Sequence, residues 1–399
     1  MPEISVILAT HNRAAFLEPC LESLCQQTIE PSRYEICLVA NACTDNTPDV
    51  VNRIMARYPQ HRIIKVEDPI PGLSRARNSG MKATQAPLVA LIDDDGTVYP
   101  NWLELFLARF AVHDSNLAVI GGEIVPVWAA PKPEWLTSRM VCLLTAGTGM
   151  GPEPRFLEFN EFAVESNSCY RRAALEAAGN FPVELGRAGP CLLSGEGIVD
   201  VVIRQHGGRV FFDPAIILRH YIHADRLTPL WIRHRYFWQG VSSHAMREYL
   251  IKKGTSVLKE IALNLPLSPV DWQFVSGDTS EGIEKSAEEF QALGFVLAFT
   301  GIIPIHNGVE SYSDLAARLC ALPNTGGALP FHLRRRAFWQ GIDDFARGNA
   351  LAGFDLPLDR TDWAFINNKD DPSTEEKLNR LRTLGFVLAK TGFVAPSSA

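Results

Sequence analysis

Leu91-Ile92-Asp93-Asp94-Asp95-Gly96 closes an apolar run that begins at Pro87. A run of that length ended by a glycine reads as a strand buried on both faces of a parallel sheet, and the carboxyl ends of such strands are where open α/β sheets hold their ligands. Three adjacent carboxylates repel one another strongly in a dry environment, so a positive charge has to sit among them. A hard divalent cation, Mg²⁺ or Mn²⁺, prefers carboxylate oxygens and usually binds through one or two of them plus a substrate phosphate, which fits Asp93-x-Asp95. Taken alone, the triplet is also compatible with a solvated acidic turn. The flanking sequence decides between the two.

Upstream, strand and helix alternate. Residues 5–9 form a short apolar strand ending in Thr10-His11-Asn12-Arg13, and residues 14–26 have helical spacing through Phe16, Leu17, Leu21 and Leu24. A second strand, 34–39, ends in Asn41-Ala42-Cys43-Thr44-Asp45-Asn46-Thr47, whose Thr and Asp can cap the following helix. A third, 62–66, leads through Pro69-Ile70-Pro71-Gly72 into a helix start carrying Arg75 and Arg77, near a dipole end that favours anions. The spacing predicts an α/β fold, a mostly parallel sheet flanked by helices, with every polar cluster at one edge. A hydroxyl-rich loop, two arginines and the carboxylates together describe a site for a diphosphate with its metal. Neither a Walker A pattern nor G-x-G-x-x-G occurs, which argues against P-loop NTPases and dinucleotide oxidoreductases.

Residues 5–13, 39–47, 72–80 and 91–96 resemble, in order, the successive motifs of the family 2 glycosyltransferases of GT-A fold. The resemblance covers about residues 4–246. It implies an inverting transferase that uses a nucleoside-diphosphate sugar and a hydroxyl acceptor that is a glycan, a lipid-linked sugar or a small molecule. On that basis Thr10, Asn12 and Arg13 line the nucleotide and Arg77 lies near the phosphates. Asp93 and Asp94 belong to the donor site, and Asp95, helped by Asp93 and His220, holds Mg²⁺ or Mn²⁺. Where the family often has Val-Asp-Asn-Gly-Ser-Thr-Asp, this chain has Val39-Ala40-Asn41-Ala42-Cys43-Thr44-Asp45. The Asp that commonly reads a uracil edge is replaced by Ala40, and Asn41 is expected to read the base instead.

The second half is expected to form the acceptor side. Residues 118–126 read as a glycine-interrupted strand, and residues 162–170 resemble the family strand that lines the sugar pocket, with Glu165 and Asn167 in place of small residues. For Glu165 the simpler alternative is pairing with an arginine. The segment 185–197 corresponds to the family stretch ending in Gly-Glu-Asp that supplies the general base, but the Asp is Gly197 here. A base has to be ionised and within hydrogen-bond reach of the acceptor hydroxyl. With Ser194 read as the N-cap of a helix through Val199, Val202 and Ile203, Glu196 falls in the first turn and becomes the expected base, with Asp200 one turn later as the second choice. The alternative is that Glu196 is only a favourable first-turn carboxylate. His220 closes the strand at 216–218, and a neutral imidazole there suits Mn²⁺.

The tail contains an internal repeat. Arg233-His234-Arg235-Tyr236-Phe237-Trp238-Gln239-Gly240 recurs as Arg334-Arg335-Arg336-Ala337-Phe338-Trp339-Gln340-Gly341, Leu265-Pro266-Leu267 as Leu356-Pro357-Leu358, and Leu293-Gly294-Phe295-Val296-Leu297-Ala298 as Leu384-Gly385-Phe386-Val387-Leu388-Ala389. Three blocks in one order mark a duplication. The expected organisation is a catalytic domain at 1–246 with a nucleotide half at 1–100 and a sugar and acceptor half at 101–226. A helical extension with the first repeat follows at 227–327, and the second repeat occupies 328–399. Such repeats rarely bury their apolar faces alone, so they offer a surface for homo-oligomerisation, and their arginines could touch acidic lipid headgroups. A solvated basic face is the plainer reading.

The formal net charge of −7 over 399 residues argues against a nucleic-acid partner, which needs a basic surface. The eight cysteines contain no C-x-x-C pair and read as reduced, and no apolar run reaches the roughly 18 residues of a membrane span. A cytoplasmic, metal-dependent transferase is the expectation. The rivals are a sugar-nucleotide-binding pseudoenzyme with an association role and, third, a nucleotidyltransferase.

Overall fold

The computed structural model describes residues 1–159, 161–186 and 197–228, and a few positions from there to 254. Glu196 and the motifs of the tail repeat, Arg235 excepted, lie outside the described residues. The described residues up to Thr228 make one compact unit. Its first half is β1 (Ile4–Thr10), α1 (Ala14–Cys25), β2 (Tyr34–Asn41), α2 (Thr47–Arg57), β3 (Ile63–Asp68), α3 (Leu73–Ala83) and β4 (Leu88–Asp93). The second half is β5 (Gly96–Val98), α4 (Trp102–Val112), β6 (Leu117–Trp128), α5 (Ser138–Leu143), β7 (Arg155–Phe156), β8 (Asn167–Arg171), α6 (Arg172–Ala177), α7 (Ile198–Gln205) and β9 (Arg209–Ile222).

One mixed sheet runs in the order β3-β2-β1-β4-β8-β6-β9-β5, with β7 beside β9. The expected α/β class is the one observed, but the sheet is mixed rather than mostly parallel. β3, β2, β1 and β4 are parallel, as strands joined by helical crossovers must be. The parallel run stops at β4. β8 is antiparallel to both β4 and β6, β9 is parallel to β6, and β5 is antiparallel to β9. Strand patterns follow position: β4 is buried from Leu88 to Ile92 and opens only at Asp93, whereas the edge strand β3 exposes alternate residues.

The second half is stitched together by Asn167. Its amide donates to the carbonyls of Glu123 and Ile216 at 2.8 and 2.9 Å and accepts from the Trp102 indole at 2.7 Å. Here the β6–β9 register slips, Gly122 facing Asp213 and Glu123 facing Ile217. Gly122 permits the close approach, since a Cβ there would lie 2.1 Å from the Ile216 carbonyl oxygen. The slip lets β9 run on past the bulge until His220 pairs with Gly96, directly after the acidic triplet.

Helix α7 corrects one expectation. It begins at Ile198, with Gly197 as its N-cap in the left-handed region at φ 82°, so Ser194 is not the cap and Glu196 precedes the first turn. Glycine is needed there twice over, for the positive φ and because a Cβ would come within 2.6 Å of the Phe162 ring. No helix among the described residues is long and apolar enough to cross a membrane.

Candidate functional site

β4 delivers Asp93, Asp94 and Asp95 to the carboxyl edge of the sheet, where each meets a different partner set. Arg77, inside α3 and 5 % exposed, lies between two carboxylates. Its Nη1 pairs with the buried Glu165, and its Nη2 is 3.3 Å from Asp93 Oδ1. Glu165 is thus paired with an arginine, as the simpler reading had it. Arg75, two residues earlier, points away and holds Asp68 at 3.0 Å.

Asp94 and Asp95 face the loop after β1. Thr10 donates its hydroxyl to Asp94 Oδ2 at 2.7 Å, and Arg13 Nη1 reaches Asp94 Oδ1 at 3.0 Å and Asp95 Oδ2 at 2.5 Å. Asp95 is also approached by His220 Nε2 at 3.2 Å, His223 Nε2 at 3.7 Å and Arg226 Nη2 at 3.6 Å. Burial pushes the Asp94 carboxyl up to about 6, Arg13 offsetting this only in part while the neighbouring Asp95 charge adds to it. Burial acts on Asp95 in the same direction, but the neighbouring His220 and His223 rings and the Arg13 charge outweigh it. Asp95 is held well below the usual carboxylate range.

The His220 ring is set by its other nitrogen. Nδ1 lies 2.9 Å from the Thr145 carbonyl, which can only accept, so Nδ1 carries the proton. Thr145 adopts φ 58° in a loop fastened by Glu123, whose carboxylate accepts from the Thr148 N–H and hydroxyl at 3.1 and 2.6 Å. A neutral ring would then turn its Nε2 lone pair toward the Asp95 carboxylate, an arrangement that calls for a proton or a cation between them. One carboxylate oxygen and one oriented imidazole nitrogen are donors that Mn²⁺ accepts. Among the described residues no group of three or more His, Cys, Asp or Glu side chains has the arrangement of a metal site. The counter-charge on the triplet is supplied by Arg13, Arg77 and Arg226.

Thr10, Arg13, Arg77, Asp93, Asp94, Asp95 and His220 therefore come together, and other expected residues do not. Asn41 does not face outward as a base reader would. Its amide donates to the carbonyls of Asp68 and Ile70 at 3.2 and 2.8 Å and accepts from the Gly72 N–H at 2.8 Å, which fixes the β3–α3 loop. Asn12 uses its Oδ1 on the Thr44 and Asp45 N–H groups at 2.7 and 3.3 Å. Asp45 caps α1 through the Ala14 N–H at 3.0 Å, besides bonding Thr47 at the start of α2. Asp200, the second choice of base, is 1 % exposed and accepts from the Ala163 N–H at 2.8 Å, so it holds the segment that carries Glu165. Arg226 and Thr145 escape sequence reading because isolated residues in irregular segments carry no pattern. His223, three residues from His220, is a further neighbour of Asp95.

Residues 5–177 match the profile of Glycosyl transferase family 2. The glucosyl-dolichyl phosphate glucuronosyltransferase of Haloferax volcanii is 26% identical over 251 residues, 61% of this chain and 77% of its own length. The validoxylamine A glucosyltransferase of Streptomyces hygroscopicus subsp. limoneus is 32% identical over 121 residues, 30% of this chain and 26% of its own. Among solved structures, a mannosyltransferase from Pyrobaculum calidifontis in complex with GDP-Man and Mn²⁺ aligns with 98% of this chain and 86% of its own at 16% identity and a TM-score of 0.48.

Proposed function

We propose that this chain, whose residues 5–177 match the family 2 glycosyltransferases, is a member of that family and moves a sugar from a nucleoside diphosphate to a hydroxyl acceptor, with inversion and with the help of Mg²⁺ or Mn²⁺, in polysaccharide or glycoconjugate synthesis. The observation that carries the reading is the convergence of Thr10, Arg13, Arg77 and His220 on the acidic turn, cationic donors and carboxylates side by side at the carboxyl edge of the sheet. Cationic and hydroxyl groups suit a diphosphate, and the carboxylates suit its metal.

In this reading Asp95 and His220 hold the cation, with Asp93 beside them. A bound cation offsets the charge that develops on the departing nucleoside diphosphate. Arg77, fixed by Glu165 and Asp93, presents the positive charge that orients the phosphates. Thr10 and Asp94 shape the nucleotide side, and the Asn12 and Asn41 amides act by fixing the two loops around it. Glu196 takes the acceptor proton, while Asp200 holds the neighbouring segment. The Haloferax volcanii relative is named for a glucosyl-dolichyl phosphate acceptor, which favours a lipid-linked sugar among the three acceptor classes. The tail repeats would serve association with a second copy or with a lipid surface.

Calorimetry of uridine, guanosine and thymidine diphosphate sugars, each with and without Mn²⁺, tests the proposal. One donor is expected to bind in a metal-dependent manner and to lose at least about tenfold in affinity in Asp95→Ala, a change of about 1.4 kcal/mol. Donor hydrolysis by wild type but not by Glu196→Gln then separates an enzyme from a binding protein. Absence of binding for every donor under every metal condition overturns the reading.

A further inference from the structure

Arg13 holds Asp95 Oδ2, beside the Oδ1 that faces His220 Nε2 at 3.2 Å and would face the cation. Its Nη1 is 2.5 Å from Asp95 Oδ2 and 3.0 Å from Asp94 Oδ1, and its Nη2 is 3.5 Å from His223 Nε2. A guanidinium on one oxygen of a buried carboxylate and a divalent cation on the other are close enough to repel one another strongly. Yet Arg13 differs from the buried Arg77 in being able to leave. Its side chain is 29 % exposed against 6 %, and it springs from the N-cap position of α1, at the end of the loop that follows β1.

We propose that Arg13 is a resident counter-cation of Asp94 and Asp95, and that metal and nucleotide diphosphate displace it together, the metal taking the carboxylate and the diphosphate taking the guanidinium. The inference rests on the donor-binding reading above. Neither ligand alone completes the exchange. Metal alone leaves a guanidinium beside a new dication, and diphosphate alone has to draw Arg13 from two buried carboxylates that then face one another. Bound together, every charge has a partner. Each ligand therefore raises the affinity for the other by the same factor. Arg226 and His223, at 3.6 and 3.7 Å from Asp95 Oδ2, are too far for direct hydrogen bonds and leave Arg13 as the close competitor.

The test is Mn²⁺ binding to the full chain, read from the free Mn²⁺ electron paramagnetic resonance signal, alone and with saturating UDP or GDP. In wild type, Mn²⁺ is expected to bind at least about tenfold more tightly with one of the diphosphates than without either. In Arg13→Gln, Mn²⁺ alone is expected to bind about tenfold more tightly than to wild type, and the enhancement by nucleotide to shrink to about twofold or less. Arg13→Lys, which keeps the charge without the fork, should fall between the two. If Arg13→Gln fails to accumulate as folded protein, the Lys variant and the Mn²⁺-induced rise in Tm carry the same comparison. Mn²⁺ affinity that is unchanged or weaker in both variants, with the coupling intact, overturns the role of Arg13 and leaves the donor site standing. Wild type and variants that all bind neither Mn²⁺ nor nucleotide overturn the donor site itself.

Discussion

Asp93 and Asp95 are two residues apart on one turn, but they are neutralised in different ways. On the Asp93 side the counter-charge is Arg77, 5 % exposed and locked between Asp93 and the buried Glu165. On the Asp95 side it is shared among Arg13, Arg226 and two imidazoles, and the closest of them is the most exposed. The first arrangement builds a frame, because removing Arg77 deprives the buried Glu165 carboxylate of a close counter-charge in a dry place. The second builds an exchange site, because each member can be replaced by another cation.

The sharpest way to break this comparison is to remove the two arginines separately. Arg77→Ala leaves Glu165 buried without that partner and is expected to cost about 3–5 kcal/mol in urea unfolding. Arg13→Ala leaves Asp95 with His220, His223 and Arg226 and is expected to cost about 1–2 kcal/mol. Replacing Arg77 and Glu165 together by Met and Leu should return most of the first loss, since the penalty lies in the stranded charge. Equal losses in the two single variants would mean that both sides are frame.

These two sides also differ in how far they can be read from sequence. The four parallel strands are legible because each is an apolar run ended by a polar loop, and the strand-to-helix spacing leaves only parallel pairing. Arg77 and the triplet could be brought to one edge from that alone. The loss of direction after β4 was not legible, because the antiparallel order depends on Asn167 and on a register slip at Gly122, and a single Asn and a single Gly carry no periodicity. The loop-fixing bonds of Asn41 and Asn12 are hidden in the sequence for a related reason. An amide at the end of a strand looks equally suited to a ligand or to a neighbouring loop, and only the geometry shows that backbone groups have taken it. The triplet requires a positive partner, and arginines of the chain itself, distant from it in sequence, supply that charge.

Asp200 extends the frame side outward, and its effect is a pH dependence. Burial pushes its carboxyl up to about 7, the Ala163 N–H offsetting this only in part. In the unfolded chain it titrates near 4. Between those values the native state holds a proton that the unfolded state has released, so this group's contribution to stability is full below about pH 4, declines as pH rises toward about 7, and is flat above. Asp200→Asn keeps an acceptor for the Ala163 N–H and has no proton to lose. From pH 4 to pH 8 it should gain about 3–4 kcal/mol on wild type in urea unfolding. Donor turnover should remain within about threefold of wild type, because the residue acts through the segment it holds. Parallel stability curves, or turnover abolished in the Asn variant, would remove Asp200 from the frame and return it to the reaction.

The smallest effect belongs to the exchange side. Ala42 sits at φ 50° and donates its N–H to the Asp68 carbonyl at 2.7 Å, at the position where the family motif has glycine. A left-handed alanine costs about 1–2 kcal/mol, and glycine loses about 0.5–1 kcal/mol more chain entropy on folding than alanine. Ala42→Gly is therefore expected to stabilise by about 0.5 kcal/mol, a rise of about 1–2 °C in Tm for a domain of this size. If the loops around Arg13 are built to adjust, the same variant leaves the Mn²⁺ affinity of the nucleotide-bound protein unchanged, because the turn is relaxed without moving Thr10 or Arg13. A loss of stability would mean instead that the Ala42 methyl is itself packed in place and that the exchange side is more rigid than its exposed arginine implies.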